Sequence, residues 1–368
     1  MPWERLTAGA PASGADAGVG GAGLPASVFT EQVPSGRPRA LAGKYLRLSG
    51  QELVAFYSRE SPIEISLHGR RLVLPATLAW APRAHGELAR QDLTFAVSDT
   101  PFTADPLLAD YRAPVIRDAA HDDRLFDGRV VRLADLASNG AVSLGPASYF
   151  DALATNFAMD HRPDARRETL RQFLHGGTHA LDRFSDSKLV NHIGVVCMLE
   201  TADGMLVAPR RSGNVANRPD SLSASASGAL DPADIGSVGT DSFALSTLAN
   251  AAFRETFEEL GVELTQVRLL GLLRELLRGG KPEFYFYGRT SASLQALPVR
   301  PHRPEERAET ASVTGFAFHS DRVGTDSASR AAFESRVQAI LDESSDMANL
   351  TFVAGVLLAS AHVLRLKA

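Results

Sequence analysis

The sequence predicts an α+β fold in which helices pack on a mixed sheet, with a mainly β N-terminal domain before it. From residue 191 the chain alternates strand, turn, strand, loop and helix, an order that suits a sheet packed by helices. Residues 41–97 instead show β-favouring runs separated by turn residues. The apolar stretch 348–364 predicts a buried closing helix, because it is shorter than the ~20 apolar residues that a membrane span needs.

Composition narrows the class of protein further. The chain has 368 residues, a net charge of -5 and 44% apolar residues, as expected for a globular protein of about two domains. The charge balance shows no basic stripe, so we expect no nucleic-acid partner. The single cysteine, Cys197, lies in an apolar run and is predicted to be buried and unreactive. The N-terminus lacks the pattern of a secretory signal, and we expect a cytoplasmic location without a membrane partner.

The chain divides into three predicted parts. Residues 1–25 are rich in Gly, Ala and Pro and predict a disordered tail. Residues 26–185 predict a β-rich domain, and residues 186–368 predict a second domain with C-terminal helices. The Pro- and Asp-rich residues 100–122 suggest a long connection. Strands in the first domain are predicted at 44–48, 53–57, 63–67, 71–74 and 130–133, and helices at 149–157 and 166–174.

The second domain is easier to divide, because its turn signals are stronger. Strands are predicted at 193–199, 205–210, 267–274, 283–289 and 313–319. Helices are predicted at 243–260, 331–341 and 348–366. Gly261 follows the first of these helices, where glycine commonly ends a helix. A polar, Ser-rich loop at 212–241 and a charged loop at 298–310 complete this part.

The segment FRETFEELGV, residues 253–262, carries an unusual carboxylate cluster. Glu255, Glu258 and Glu259 lie three and four residues apart, so a helix projects them to one side, where their charges repel. Arg254 is placed to pair with Glu258, which leaves two carboxylates without a cation. Oxygen ligands of this kind suit Mg²⁺ or Mn²⁺. The alternative is an ordinary solvated helix face.

This spacing resembles the helix and exit turn of the Nudix box, G-x5-E-x7-R-E-U-x-E-E-x-G-U, where U is a bulky apolar residue. The matching residues are Arg254, Glu255, Glu258, Glu259, Gly261 and Val262. Thr256 stands at the first U position, which is a mild departure. Counting back from the arginine puts Ser246 where the family has glutamate. Gly228 is the better candidate for the leading glycine, with Asp231 in the place of a nearby glutamate and a loop insertion at 231–241.

The resemblance implies a Nudix α/β/α sandwich that hydrolyses a diphosphate with Mg²⁺, or with Mn²⁺ in its place. It implies that the three glutamates hold the metal, together with the backbone carbonyl of Gly228. Arg254 would then brace the cluster. The general base would come from the helix or from a later loop, where Glu309 is the candidate; the alternative for that loop is a solvated charged segment.

A closer resemblance covers about residues 124–320 and concerns the UDP-glucose-hydrolysing Nudix diphosphatase of mammals. It implies cleavage of a UDP-sugar to UMP and a sugar 1-phosphate. The segments that carry it are Leu125-Phe126-Asp127, Val131-Arg132-Leu133, Ser148-Tyr149-Phe150, Thr155-Asn156, the stretch from Gly194 to Val215-Ala216, Leu270-Gly271 and Glu283-Phe284-Tyr285.

Candidate substrate-binding residues follow from strand ends and aromatic positions. Arg211 and Arg274 are predicted to contact phosphate, unless they are ordinary strand-end arginines. Tyr285 is predicted to stack on a base or to lie in the core. Asn156 is predicted to contact a base or sugar hydroxyl or to stop a helix. His192, at the start of a strand, is predicted to be structural.

Three hypotheses for the activity remain open at this point. The first is hydrolysis of a nucleotide sugar. The second is the same chemistry on another nucleoside diphosphate derivative, such as ADP-ribose. The third is a catalytically weak Nudix module that binds a nucleotide, an alternative suggested by Ser246 and the loop insertion. The sequence leaves the oligomeric state open.

Overall fold

The computed structural model describes residues 44–45, 48–67, 70–82, 93–122, 125–211, 220–235, 244–298, 310–345 and 347–366. The predicted disordered tail, 1–25, and the candidate base Glu309 lie outside these residues. Within the described residues, no helix is long and apolar enough to cross a membrane.

Groups of two or three strands are separated by helices along much of the described chain. The strands are β1 (Lys44–Tyr45), β2 (Pro62–Leu67), β3 (Arg70–Trp80), β4 (Thr94–Val97), β5 (Arg129–Leu136), β6 (Ala141–Ser148), β7 (His161–Arg162), β8 (Gly194–Glu200), β9 (Met205–Arg211), β10 (Ala226–Ala229), β11 (Gln266–Glu275), β12 (Lys281–Arg289) and β13 (Thr310–Ala317). The helices are α1 (Gly50–Phe56), α2 (Ala109–Ala120), α3 (Tyr149–Leu153), α4 (Leu170–His175), α5 (Pro232–Ile235), α6 (Ala244–Leu260), α7 (Ser327–Ser344) and α8 (Leu350–Leu366).

The large sheet is mixed, as the sequence predicts. Its strands lie in the order β13, β9, β8, β12, β11, β3 and β2, and β10 pairs with the first half of β8. β8 and β12 run parallel, whereas the other neighbours are antiparallel. The predicted α+β class is confirmed.

Helices pack on both faces of this sheet. Val195 of β8 and Phe284 of β12 belong to the core cluster that contains the buried side of α6. The next residues along the two strands, Val196 and Tyr285, belong to the cluster that contains α7 and α8. Successive side chains of a strand point to opposite faces, which explains why two fully buried strands feed two separate cores. Cys197 faces α6, and burial raises the pKa of its thiol to about 12, as expected for an unreactive cysteine.

The N-terminal region joins the same sheet. The hairpin of β2 and β3 pairs with β11 through residues 76–80 of β3. A smaller sheet of β4, β6 and β5 lies beside it, and the backbone of β5 bonds to Asn191 and Ile193 just before β8. Strands from both sides of the predicted boundary at residues 185 and 186 therefore share one sheet, and the division into two domains stays a prediction.

Two sequence predictions in this region are wrong. Residues 53–57 were predicted as a strand but belong mostly to α1, where Ser49 and Glu52 form a reciprocal capping box that starts the helix. The predicted connection 100–122 contains α2, preceded by a short turn of 3-10 helix that Asp105 caps. Local capping outweighs the β-favouring composition in the first case.

Arg171 ties the N-terminal region to the large sheet. Its side chain is fully buried and makes a two-pronged ion pair with Asp160. It also donates to the Tyr57 hydroxyl at 3.0 Å and to the carbonyl oxygens of Leu276 and Leu277, both at 2.6 Å. One guanidinium thus joins the end of α1, helix α4 and the turn between β11 and β12.

We expect Arg171→Met to lower the free energy of unfolding by about 3–5 kcal/mol, because Asp160 and two carbonyls lose their buried donor. Urea denaturation followed by circular dichroism measures the change. Arg117→Met is the matched control: that side chain is 59% exposed beside Asp118, and its loss should cost about 1 kcal/mol or less. Equal effects of the two substitutions would contradict this role.

Candidate functional site

The burial pattern of α6 leaves one side of the helix for the charged residues. Ala252, Thr256 and Leu260 recur every four residues and are buried toward the sheet. Thr256 departs from the apolar residue of the Nudix pattern, but its hydroxyl donates to the Ala252 carbonyl at 2.7 Å and so needs no other partner. Gly261 adopts a left-handed φ of 69° and ends the helix, as predicted.

Arg254 lies at the centre of the charged side. Its guanidinium makes two hydrogen bonds to Asp234, at 2.9 and 2.7 Å. It also donates to the Ala229 carbonyl at 2.9 Å, to Glu255 at 2.7 Å and to Glu258 at 3.2 Å. The prediction that Arg254 pairs with Glu258 holds, whereas the prediction that Glu255 lacks a cation is wrong.

Asp234 is the member of this cluster that the sequence prediction missed. It stands six residues after Gly228, which is the G-x5-E spacing of the Nudix pattern with aspartate for glutamate. Counting backward from Arg254 instead led to Ser246, which lies in the first turn of α6. Within the described residues, the Asp231 side chain accepts a local turn hydrogen bond from the Ala233 N–H. The extra residues therefore lie between Asp234 and Arg254, and the upstream carboxylate is present.

The glutamates pack against the backbone of β10. A side chain at Gly228 would overlap the carboxyl group of Glu255, so only glycine permits this close approach. The backbone N–H of Ser227 donates to Glu259 at 2.9 Å. β10 thus provides a flat surface for two carboxylates. The predicted role of the Gly228 carbonyl as a metal ligand stays a prediction.

Burial changes the chemistry of Glu255. Only 12% of its side chain is exposed, and desolvation raises its pKa to about 7 even though Arg254 opposes the shift. Glu258 adds to the increase through repulsion. Because one guanidinium serves Glu255, Glu258 and Asp234, the cluster keeps an excess of negative charge whenever all three are ionised.

The cluster fits a divalent cation in its donor chemistry. Carboxylate oxygens are the ligands that Mg²⁺ and Mn²⁺ prefer, and the space left by Gly228 lets Glu255 lie against the strand. In the described residues, no three His, Cys, Asp or Glu side chains converge closely enough to hold a metal ion. Arg254 holds two of the glutamates, and Ser227 binds the third. Arg254 is therefore the cation that pairs with Glu255 and Glu258 in this arrangement.

Two predicted substrate contacts are corrected by burial. Tyr285 is fully buried in the core cluster on the α8 side of the sheet, so it is not available to stack on a base. Asn156 is 1% exposed; its side-chain oxygen accepts from the Asn191 N–H at 2.7 Å, and its nitrogen donates to the Arg278 carbonyl at 3.0 Å. Asn156 therefore holds two segments of the chain together.

The two predicted phosphate-binding arginines differ in their surroundings. Arg274 donates to the Asp182 carbonyl at 2.6 Å and lies 4.4 Å from the ring centre of Phe184. These contacts fix Arg274 within the packing beside the β11–β12 turn and correct its assignment to an open phosphate site. Arg211 is half-buried at the end of β9, opposite Thr310, and its phosphate contact stays a prediction.

Among the comparisons with known proteins, the search of solved structures found similar chains. No protein-family model and no curated protein matches the chain. DR0079 from Deinococcus radiodurans is 22% identical over 34% of this chain and 65% of its own, just under two thirds, with a TM-score of 0.24. The Nudix domain of Shewanella oneidensis NrtR, solved with ADP ribose, is 14% identical over 34% of this chain and 72% of its own, with a TM-score of 0.25.

A Nudix hydrolase from Nitrosomonas europaea is also similar. It is 15% identical over 42% of this chain and 90% of its own, with a TM-score of 0.24. With identities below 25% and TM-scores near 0.25, what this chain does has to be inferred from its own residues.

We expect Asp234→Ala to lower the free energy of unfolding by about 2–3 kcal/mol, because Arg254 loses two charge-assisted hydrogen bonds in a largely buried position. Urea denaturation measures the loss. Asp231→Ala, which removes an exposed turn carboxylate three residues away, should cost about 1 kcal/mol or less. A larger effect of the Asp231 substitution would contradict the pairing of Asp234 with Arg254.

Stability should also depend on pH through Glu255. Its folded pKa of about 7 lies above the ordinary 4.5, so the folded state binds this proton more tightly than the unfolded chain does. The resulting stability is fully present below pH 4.5 and is lost as the pH rises to about 7. In the presence of a metal chelator, the free energy of unfolding of Glu255→Gln is compared with that of the unsubstituted protein. Between pH 4.5 and 8, this difference should shift by on the order of 3 kcal/mol in favour of the variant.

Urea midpoints at several pH values measure this difference. Glu263→Gln, at an exposed glutamate just after α6, is the control, and the change with pH for Glu255→Gln should exceed the change for this variant. A pH-independent difference for Glu255→Gln would show that its carboxyl has an ordinary pKa.

Proposed function

We propose that this protein is a metal-dependent Nudix pyrophosphohydrolase that cleaves the diphosphate of a nucleotide sugar to a nucleoside monophosphate and a sugar 1-phosphate. The observation that carries the proposal is the arrangement around Arg254. Glu255 and Glu259 contact β10 at Gly228 and Ser227, Arg254 binds Glu255 and Glu258, and Asp234 supplies the upstream carboxylate. This is the R-E-x-x-E-E-x-G motif with its supporting acid in place.

The residues have distinct roles in this proposal. Glu255, Glu258 and Glu259 would hold Mg²⁺, or Mn²⁺ in its place. When bound, the ion supplies positive charge against the phosphate oxygens of the substrate. Arg254, fixed by Asp234 and the Ala229 carbonyl, orients the helix against β10. Gly228 leaves the strand free of a side chain, so the Glu255 carboxylate can lie against the backbone of β10.

The raised pKa of Glu255 links cation binding to pH. A cation beside this carboxyl favours its ionised form, so binding at neutral pH releases a proton. Affinity for the cation should therefore increase as the pH rises through 7. The candidate base Glu309 lies outside the described residues, and its role remains part of the proposal.

The presence of Asp234 favours an enzyme over a catalytically weak binding module. The weak module was suggested by Ser246 and by the loop insertion, and Asp234 in the upstream position removes the first of these two reasons. The choice of a UDP-sugar rests on the short matching segments between residues 124 and 320. ADP-ribose is the comparison substrate, because it contains the same diphosphate between a nucleoside and a sugar.

Incubation with a panel of nucleotide sugars and Mg²⁺, followed by mass analysis of the products, tests the proposal. We expect UDP-glucose to give UMP and glucose 1-phosphate. Glu258→Gln and Glu259→Gln should abolish turnover without unfolding the protein, because the amide keeps the shape of the carboxylate and loses its charge. Glu263→Gln is the control and should retain full activity. If no panel member is cleaved with Mg²⁺ or Mn²⁺, the proposed activity is wrong.

A further inference from the structure

Helix α5 brings Asp234 to the carboxylate cluster, yet it consists of a single turn, Pro232–Ile235. Isolated helices shorter than about 12 residues are marginal in water, so α5 depends on its neighbours to keep its place. The Asp234 side chain is 5% exposed, and its two oxygens accept from the Arg254 guanidinium at 2.9 and 2.7 Å. The packing of α5 therefore decides where this partner of Arg254 lies.

Two sets of contacts near α5 involve Asp234 itself. Within the turn, the Asp231 side chain accepts from the Ala233 N–H at 2.7 Å, and the Asp231 N–H donates to Asp234 at 2.8 Å. This reciprocal arrangement orders the turn internally, as a capping box does. The bonds to Arg254 then attach the turn to α6. A further attachment comes from the N-terminal region.

The small sheet of the N-terminal region lies beside α5, which is close to β5 as well as to α6. Ile235 packs on the core cluster that contains Leu133 of β5 and Leu248 of α6. Leu136 packs on the same cluster, although side chains three residues apart in a regular strand point to opposite faces. A β-bulge between Leu133 and Asp135 explains this, because the extra residue reverses the alternation.

A backbone route joins β5 to the strand that faces the glutamates. The Ile193 N–H donates to the Val131 carbonyl of β5, and the Ile193 carbonyl accepts from the Leu230 N–H, both at 3.1 Å. The residue before Leu230 is Ala229, whose carbonyl accepts from Arg254 at 2.9 Å. The acceptors outside α6 that fix this guanidinium therefore both lie on segments that β5 supports.

We propose that β5 is a positioning element of the cation site, and that Ile235 is the positioning residue through which it acts. The packing of Ile235 keeps Asp234 on the Arg254 guanidinium. The same guanidinium binds Glu255 and Glu258. This inference rests on the proposed function, because it concerns the carboxylates that would hold the cation. It gives the small N-terminal sheet a role in that function.

Titration of the full-length protein with Mn²⁺, with free Mn²⁺ measured by electron paramagnetic resonance, tests the inference without turnover. The dissociation constant of Ile235→Ala should rise about tenfold, because loss of the groups that orient metal ligands lowers affinity by about 10- to 100-fold. Ile235→Val keeps most of the apolar side chain and should bind Mn²⁺ nearly as tightly as the unsubstituted protein. An unchanged constant for Ile235→Ala would overturn the positioning role.

Leu294→Ala is the matched control. Leu294 is also partly buried against the same core cluster, but its N–H donates to Asp203, which follows the other end of β8. The two alanine variants remove side chains of equal size, so they should lose similar stability in urea denaturation. Only Ile235→Ala should bind Mn²⁺ more weakly. Equal weakening in both variants would show a general effect of core packing and contradict the inference.

A double-mutant cycle identifies the route from Ile235 to the cation site. If Ile235 acts through Asp234, Ile235→Ala should raise the dissociation constant much less in the Asp234→Ala protein than in the unsubstituted one. Equal increases in the two proteins would show that Ile235 does not act through Asp234.

The outcomes keep this inference apart from the proposed function. If the unsubstituted protein binds Mn²⁺, Glu258→Gln weakens that binding and Ile235→Ala does not, the positioning role is wrong and the proposed function stands. If Glu258→Gln leaves the Mn²⁺ titration of the protein unchanged, the cluster holds no cation. The proposed function then fails, and the inference fails with it.

Discussion

The guanidinium of Arg254 is shared by more carboxylates than it can neutralise, and the site depends on this imbalance. It binds Asp234, Glu255 and Glu258 and a carbonyl of β10 at once. These contacts fix α6 against the sheet and hold α5 beside the Arg254 guanidinium. They also leave the cluster with excess negative charge, which is the property that a cation site requires.

Burial of the carboxylates changes the pKa of Glu255. Glu255 would have an ordinary pKa on an exposed helix, but the strand surface at Gly228 shields it from water and raises its pKa to about 7. Under the proposed function, a cation bound here would therefore compete with a proton near neutral pH.

The sequence predicted the parts of this site that depend on short-range spacing. Helix α6 and its end at Gly261 follow from a 3.6-residue period and a glycine stop, both of which are local. Asp234 was missed because its partner is twenty residues away across a loop insertion, and counting back from Arg254 gave Ser246. Tyr285 and Asn156 were assigned to the substrate from residue type, but neither type nor spacing reveals which face of a strand or turn is covered.

The amino-acid sequence by itself determined that three carboxylates crowd one helix turn next to an arginine, because helical geometry follows from local spacing. It also determined the α+β class, since apolar periods of two and near four residues are visible without any contact. Only the tertiary structure decided which groups pair with those carboxylates, how deeply Glu255 is buried and which predicted residues face solvent. Hydrogen-bond partners and desolvation depend on segments that are distant in the chain, and these meet only when the sheet forms.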